Sequence, residues 1–397
     1  MIAALALTLT TRLLLVQTAT IDLTPPEPLP LGGYTERRGA LAESGGDRLE
    51  ARALILGAGE RRVAIVTVEM LTVPESLARE VRSRIPEDLP LFLVATHTHC
   101  APDSQMLNER MTMAIPGIAS FRRRWMDWYA ERIARGVRLA LDTASARYPA
   151  LELLEFRLPL NRPRRPSALP DSLASVLSVP GRALLVMYAA HATVYPATER
   201  RARGDWTGAV ARAVGAPVLP GAIGDVSPIA DGSPDETCQK FASAVQAGLA
   251  RAIPRRLRPE PFRFARVPID LGPATPHPDF PRSYGLPAPL AEDVSRRFAP
   301  AAAEVFAIRI GKLAIVGVPA EPTSSLGQRI RLFGLGLGFE AVWVVSHVGG
   351  WIGYVLESDD YRRGGYEATL SFYGPGLGDR LVDAGRVALS RLAATAR

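Results

Sequence analysis

The strongest constraint on the fold lies in residues 89–104, which read LPLFLVATHTHCAPDS. The short apolar run Leu91–Ala95 is bounded by prolines and predicts a buried strand. His97 and His99 follow it, and side chains two positions apart on an extended segment point the same way. Both imidazoles can therefore address one point, as two metal ligands or as one ligand beside an acid–base histidine. An ordinary polar loop is the plainer interpretation, but the chain has only five histidines.

Length and composition predict a large mixed α/β core. A chain of 397 residues with 47% hydrophobic content can form one large domain, or two that pack closely together. Its net charge of +7 is almost entirely due to arginine, because Lys240 and Lys312 are the only lysines. The arginines occur in scattered pairs and triplets without a basic helix, so we expect no nucleic-acid partner. Attraction to an anionic lipid surface, as a peripheral membrane contact, stays open.

The N-terminal residues give little information on the compartment. Residues 1–19 are apolar, yet they lack a basic start and carry Arg12 in their middle. They make a poor secretory signal and are too short to span a membrane, and we expect no transmembrane segment elsewhere. This favours the cytoplasm, with a secreted or periplasmic protein as the alternative. The oligomeric state is left open.

An apolar run followed by a metal-binding side chain occurs at two further places. Residues 183–189 precede His191, and residues 313–318 precede Glu321. Open α/β sheets collect functional groups at the carboxyl ends of their strands. Two imidazoles and one carboxylate form a ligand set that catalytic zinc uses, with one position left for a water that becomes nucleophilic near neutral pH. The predicted fold class is therefore α/β, with mixed sheets flanked by helices and the active site at strand carboxyl ends.

Other segments give weaker expectations. Residues 164–180 are polar and rich in proline and serine, which is typical of a surface loop or lid. His277 is flanked by prolines, so we expect it to be exposed. The turn GDVSP at residues 224–228 is not the GxSxG nucleophile elbow and does not support a serine hydrolase. Cys100 and Cys238 form no disulfide framework, and we expect Cys100 to be a small buried side chain rather than a ligand or nucleophile.

A series of motifs extends this interpretation over almost the whole chain. In order they are IDLTPPEPLPLGGY, DRLEARALIL, THTHCAPD, AAHATVY, GDWTG, GDVSP, VGVPAEPTSSLGQR and GYVLESDDYRRGGYEATLSFYGP. Together they resemble the neutral ceramidase family, zinc amidases that hydrolyse N-acylsphingosines. The resemblance implies that residues 1–14 are an N-terminal extension and that residues 15–397 form one ceramidase-like zinc hydrolase domain of a short bacterial type. It also implies that the β-sandwich domain of the longer ceramidases is missing.

Carried over residue by residue, the resemblance implies a complete active site. The expected ligands of a single Zn²⁺ are His97, His191, Glu321 and Tyr354. The expected catalytic residues beside the metal and the scissile amide are His99, Ser227 and Tyr366. Arg162 is expected to bind the polar end of the substrate. The implied activity is hydrolysis of an N-acyl, ceramide-like amide by a metal-activated water.

Two alternatives remain at this point. The first is a zinc-dependent esterase or amidase that acts on a polar substrate outside sphingolipid metabolism; its pocket wall would be charged, whereas a fatty acyl chain requires a deep apolar wall. The second is a non-catalytic binding protein that retains the fold. Retention of all the matched residues argues against the second alternative, because a binding protein does not need the whole set.

Overall fold

The computed structural model describes residues 13–394. Residues 1–12 of the apolar N-terminal segment therefore lie outside the described residues. The first strand begins at Leu14, where the predicted extension ends. The division into an extension and one domain stays a prediction. No helix within residues 13–394 has the combination of length and hydropathy that crossing a membrane requires.

The first sheet contains the histidine strand at its edge. Its strands are β1 (Leu14–Asp22), β2 (Glu50–Ala58), β3 (Arg61–Val68), β4 (Leu91–Ala95) and β5 (Ala146–Tyr148), in the order β4-β3-β2-β1-β5. All neighbours are antiparallel except β3 and β4, which are parallel. Two helices pack on this sheet, α1 (Glu75–Arg82) and α2 (Arg123–Asp142).

The second sheet contains the strand that precedes His191. Its strands are β6 (Leu151–Arg157), β8 (Leu173–Val179), β9 (Arg182–Tyr188), β10 (Val218–Pro220) and β12 (Arg255–Leu257), in the order β10-β9-β8-β6-β12. A separate ribbon pairs β7 (Asn161–Pro163) with β11 (Val226–Pro228). Two helices cover one face, α3 (Asp205–Val214) and α4 (Pro234–Arg251).

The segment that carries Glu321 lies between the last two strands of the third sheet. Its strands are β13 (Phe262–Pro268), β14 (Glu304–Ile310), β15 (Leu313–Gly317) and β17 (Ala341–Val345), in the order β13-β14-β15-β17. A short parallel ribbon joins β16 (Glu321–Pro322) to β18 (Tyr354–Val355). The helices here are α5 (Phe280–Ser283), α6 (Ala288–Phe298), α7 (Ser324–Gly336), α8 (Ser358–Arg363), α9 (Tyr366–Thr369) and α10 (Leu377–Ala393).

The three large sheets share one apolar core. In β2, Ala53 and Ile55 pack toward the helices, whereas Leu54 and Leu56 pack toward the other sheets. Alternating side chains point to opposite faces of a strand, so a strand buried on both faces reads as a continuous apolar run. Because the sheets meet at this common core, the ends of strands from different sheets lie close together. The predicted mixed α/β architecture is confirmed.

One local prediction is wrong in part and another is wrong. Residues 164–180 were expected to form a loop or lid; residues 164–172 have no helix or strand, but β8 follows as an inner strand of its sheet. The serines of β8 made the segment look like an exposed loop, but Ser175 and Ser178 are buried. Their hydroxyls donate hydrogen bonds to Glu155 Oε1 and to the Glu152 carbonyl, both at 3.4 Å. His277 is buried, not exposed, and its ring contacts the carbonyl of Tyr361 in α8. Cys100 is buried, as expected.

Candidate metal centre

Two histidines are held by backbone carbonyls so that their Nε2 atoms face one carboxylate. His97 follows β4, and its Nδ1 lies 2.8 Å from the Leu71 carbonyl oxygen. His191 follows β9, and its Nδ1 lies 3.0 Å from the Val226 carbonyl oxygen. A carbonyl oxygen can only accept, so each Nδ1 carries a proton, and in the neutral form of either ring Nε2 is the nitrogen with the lone pair. Anchoring the outer nitrogen in this way is typical of metal-ligating histidines.

Glu321 supplies the carboxylate between these two rings. Its Oε2 lies 3.0 Å from His191 Nε2 and 3.3 Å from His97 Nε2. Its Oε1 accepts a hydrogen bond from Trp351 Nε1 at 2.8 Å. Burial alone would raise the pKa of Glu321, but His97 and His191 outweigh burial and hold the pKa well below its usual range. The carboxylate is therefore ionised at neutral pH.

Tyr354 completes the predicted ligand set. Its strand β18 pairs with β16 so that Tyr354 lies opposite Glu321, and its hydroxyl lies 3.1 Å from His191 Nε2. Burial and the Glu321 charge hold the pKa of the Tyr354 hydroxyl well above its usual range. All four side chains expected to bind zinc are thus buried in one cluster. Two of them follow the ends of strands, and the other two lie in one short ribbon.

His347 was not predicted, yet it belongs to the same cluster. It follows β17 and is fully buried, with its ring stacked on His97 at a centroid distance of 4.1 Å. Neither ring nitrogen has a hydrogen-bond partner among the described residues. Ligand atoms of His97, Glu321 and His347 all lie within 4.8 Å of one another, so this group can bind a metal ion. The sequence feature that could have predicted His347 is the apolar run AVWVV before it, which resembles the runs before His97 and His191.

His99 lies beside the cluster in a tightly shaped pocket. Its Nε2 is 3.3 Å from His97 Nε2, and its ring packs against Tyr34 with the centroids 4.8 Å apart. Gly33 leaves no space on the other side, since a Cβ there would lie 2.5 Å from His99 Nδ1. The buried Arg37 guanidinium also donates to the His99 carbonyl. Burial, with the neighbouring histidines, lowers the pKa of His99 well below its usual value, so the ring is neutral.

Of the two arginines at β7, Arg164 contacts the cluster and the expected substrate-binding residue Arg162 is exposed. Arg162 lies in β7 with an exposed side chain, and its backbone pairs with Ser227. Arg164, two residues later, places its Nη1 3.2 Å from His191 Nε2 and its guanidinium 5.6 Å from the Tyr366 ring centroid. Its Nε also pairs with Glu367 at 3.1 Å. No described contact joins the Arg162 guanidinium to the cluster within residues 13–394.

The other two predicted catalytic residues border the same cluster. Ser227 directly follows Val226, whose carbonyl anchors His191. Tyr366 opens α9 and is half-exposed, with its ring centroid 5.8 Å from that of Tyr354. The cluster therefore has a buried floor and a rim that solvent reaches.

The donor set fits a divalent metal ion. Imidazole nitrogens and a carboxylate oxygen are ligands that zinc accepts. Burial lowers the pKa of His191 to about 4, so this ring is neutral at neutral pH and can bind a metal ion. Its Nε2 and the ionised Glu321 lie close enough to share one cation. The Arg164 guanidinium contacts the same nitrogen and competes with a metal ion for it.

Comparison with known proteins identifies the fold. No protein-family model matches the chain, and no curated protein matches its sequence. Among solved structures, neutral ceramidase from Pseudomonas aeruginosa superposes with a TM-score of 0.79 over 96% of this chain and 75% of that chain, at 17% identity. The chain has the neutral ceramidase fold. A ceramidase complexed with C2 agrees, with a TM-score of 0.79 at 17% identity over 97% of this chain and 77% of that chain. The fold that the motif resemblance implied is thereby confirmed.

Proposed function

We propose that the protein is a zinc-dependent amidase that hydrolyses the amide bond of an N-acyl, ceramide-like lipid. The observation that carries this proposal is the convergence of His97, His191, Glu321 and Tyr354 inside a neutral ceramidase fold. Fixed imidazole tautomers support it, because a loop of ordinary polar residues has no reason to direct two buried lone pairs at one carboxylate.

The four side chains would hold one zinc ion per chain, with His347 as a further donor within reach. When bound, zinc lowers the pKa of a water molecule toward neutrality and polarises a carbonyl oxygen. Glu321 contributes the negative charge of the site, and the Trp351 hydrogen bond fixes its orientation. Burial lowers the pKa of His191 to about 4, so this ring can bind a metal ion without losing a proton.

The remaining residues have roles in the chemistry of the amide. His99 is neutral, so it can take a proton from the attacking water and deliver it to the leaving amine. The carbon–oxygen bond to water forms, the carbon–nitrogen bond breaks, and the products are a carboxylic acid and an amine. The phenol of Tyr366 and the hydroxyl of Ser227 would donate to the oxygen on which negative charge develops. Removing one such donor would raise the barrier by roughly 2.7 to 4 kcal/mol.

Arg164, rather than Arg162, would bind the polar end of the substrate. Its guanidinium lies above the Tyr366 ring and next to His191, whereas the Arg162 side chain is exposed on β7. A substrate or metal ion that binds His191 would displace the Arg164 guanidinium from that ring. The ion pair with Glu367 would then keep Arg164 at the rim. An Arg164→Gln variant is therefore expected to raise KM more than an Arg162→Gln variant, which serves as the matched control.

The experiment combines metal content with product release. Protein as purified, stripped by chelator and restored with zinc is assayed for fatty acid released from ceramides of different chain length and from other N-acyl amides and esters. Zinc-restorable cleavage of ceramides supports the proposal. Zinc-restorable cleavage restricted to polar amides or esters would favour the alternative hydrolase. A zinc-loaded protein that cleaves none of them would favour a non-catalytic role.

The ligand assignment is tested separately by metal stoichiometry. Glu321→Gln and His191→Ala should each lose bound zinc, as measured by elemental analysis of the folded protein. His277→Ala is the matched control, because this histidine is also buried but contacts the Tyr361 carbonyl, outside the cluster. Zinc loss in the control to the same extent would contradict the assignment. His347→Ala decides whether this ring belongs to the ligand set.

A further inference from the structure

His99 lacks the anchor that two other histidines of the metal centre have. His97 and His191 each hold their Nδ1 against a backbone carbonyl oxygen, at 2.8 and 3.0 Å. The Nδ1 of His99 is buried and has no hydrogen-bond partner among the described residues. A hydrogen bond to the outer nitrogen is what usually fixes the orientation of such a ring. The orientation of His99 therefore depends on other contacts.

The ring of His99 is held by the shape of its surroundings. The Tyr34 ring packs against it with the centroids 4.8 Å apart, and the backbone of Gly33 lies so close to Nδ1 that a Cβ would come within 2.5 Å. The Tyr34 hydroxyl donates to the Tyr195 carbonyl at 3.1 Å, which connects this ring to a distant part of the chain. The position of His99 thus depends on how these separate segments are held together.

The side chain that joins these segments is Arg37. Its guanidinium donates to the carbonyl of Gly32 at 2.9 Å and to the carbonyl of His99 itself. On another side it donates to the carbonyls of Pro196 and Ala197, at 3.4 and 3.1 Å. Arg37 is only 5% exposed, so water competes little for these carbonyls. One side chain thereby connects three segments that meet around His99.

The same guanidinium also contacts the ring that packs on His99. Its Cζ lies 4.8 Å from the centroid of the Tyr34 ring, a cation–π contact that is strongest where water is excluded. Arg37 therefore acts on His99 in two ways, through the carbonyl oxygen of His99 and through the aromatic ring beside its imidazole. Its remaining partner is Cys100 Sγ at 3.2 Å, and burial raises the pKa of this thiol to about 12, so the thiol stays protonated.

The charge of Arg37 has no opposite charge beside it. Its partners within residues 13–394 are carbonyl oxygens, a thiol and an aromatic ring, and none of them is a carboxylate. Burying a charge without an ionic partner is costly. A guanidinium has five donors in one rigid plane, and no neutral side chain can reach as many carbonyls at once. The arrangement favours accurate placement of the three segments over the lowest cost of burial.

We propose that Arg37 is the positioning residue of His99 and keeps its imidazole beside His97 at the metal centre. This inference rests on the proposed function, in which His99 moves the proton from the attacking water to the leaving amine. His99 Nε2 lies 3.3 Å from His97 Nε2, so a small rotation of the His99 ring would take this nitrogen away from the reacting atoms. A displacement of about 1 Å can lower the rate about 10²-fold.

The first measurement observes His99 itself and needs no turnover. The chain has five histidines, so a sample with ¹⁵N-labelled histidine gives five sets of ring signals in NMR spectra, and His99→Gln identifies the set that belongs to His99. Arg37→Met removes all the donors but keeps a long unbranched side chain. We expect the His99 signals to shift or broaden in this variant, while the signals of His97 and His191 stay in place. Unchanged His99 signals would overturn the proposal.

The second measurement is kinetic and uses zinc-restored protein with a ceramide-like amide. In Arg37→Met, kcat should fall about 10²-fold with little change in KM, because Arg37 acts on the placement of His99 and not on substrate binding. Zinc affinity should be unchanged. If Arg37→Met does not fold, Arg37→Lys replaces it in both measurements, because lysine keeps the charge but loses the planar set of donors.

The matched control is Arg380→Met. Arg380 also donates to two backbone carbonyls, those of Leu271 and Tyr373, both at 2.9 Å, and these contacts lie outside the metal centre. This variant should lower the free energy of unfolding but leave kcat and the His99 signals unchanged. Equal effects of the Arg37 and Arg380 variants on His99 would show a merely structural role and overturn the proposal.

The two measurements separate this proposal from the proposed function. A native chain without amidase activity would contradict the proposed function, and the His99 signals would still decide the role of Arg37. Loss of zinc binding in Arg37→Met would mean that the arginine supports the metal ligands rather than His99, which would also overturn the proposal.

Discussion

A single hydrogen bond outside the ligand set offers a sharp test of the metal centre. Trp351 Nε1 donates to Glu321 Oε1 at 2.8 Å, which leaves Oε2 directed at His97 and His191. Trp351→Phe removes this donor. An aromatic ring remains to pack against Phe372, whose centroid lies 6.0 Å from that of Trp351. The change thus affects the orientation of the carboxylate and little else.

The magnitude follows from the charge on the acceptor. A hydrogen bond to a charged group contributes roughly 1.5 to 3 kcal/mol. Loss of a partner that orients a metal ligand lowers metal affinity about 10- to 100-fold, which corresponds to roughly 1.4 to 2.8 kcal/mol. The two ranges agree, so we expect Trp351→Phe to weaken zinc binding by that factor. Competition with a chromogenic chelator measures the affinity of the stripped protein without reference to turnover.

The control is another tryptophan of the same chain. Trp343 is buried in the shared core, and its Nε1 has no partner among the described residues. Trp343→Phe should lower the free energy of unfolding through the lost packing but leave zinc affinity unchanged. The reasoning would be refuted if Trp351→Phe bound zinc as tightly as the native chain, or if Trp343→Phe weakened binding equally.

Three further outcomes are expected. Gly33→Ala should displace His99 and thereby lower turnover about 10²- to 10⁴-fold without loss of zinc. Gly39 has a similar φ but open space around it, so Gly39→Ala should keep its activity. Equal losses of activity in the two variants would contradict the role of His99. Burial raises the pKa of Glu69 and of Asp205 to about 7, so with rising pH both carboxyls lose their protons in the unfolded chain before they do so in the folded chain. The free energy of unfolding should therefore fall as the pH rises from about 4 to 7, by up to roughly 1.4 kcal/mol per pH unit for each group. Urea titrations of Glu69→Gln and Asp205→Asn should show a flatter profile. Removing the metal should lower the melting temperature, since a ligand at 100 times its Kd stabilises by about 2.7 kcal/mol, and an unchanged calorimetric transition would argue against a bound metal.

Much of the fold could be predicted because its signals are local. The strand β4 and the long helix α2 were evident from an apolar run and from helical periodicity, patterns that extend over a few neighbouring residues. Strand β8 was missed for the same reason. Its buried serines look polar in sequence, and the acceptors that satisfy them belong to β6, which the local pattern does not contain.

Some residues of the candidate site could also be predicted from the sequence, and others could not. His97 and His191 could be proposed from the runs before them, and the resemblance added Tyr354. The substrate-binding role expected for Arg162 stays a prediction. The contact of Arg164 with His191 could not be predicted from the sequence, because it depends on the pairing of β7 with β11, which holds Arg162 opposite Ser227 with its side chain exposed.

The sequence by itself determined which side chains can bind a metal and the kind of element that precedes each of them. Periodicity and residue chemistry act over a few positions, and they suffice for that purpose. Only the tertiary structure decided that His347 joins His97 and Glu321, and that carbonyls of Leu71 and Val226 fix the two tautomers. These contacts depend on how three sheets pack around a shared core, and packing is a property of residues far apart in the chain.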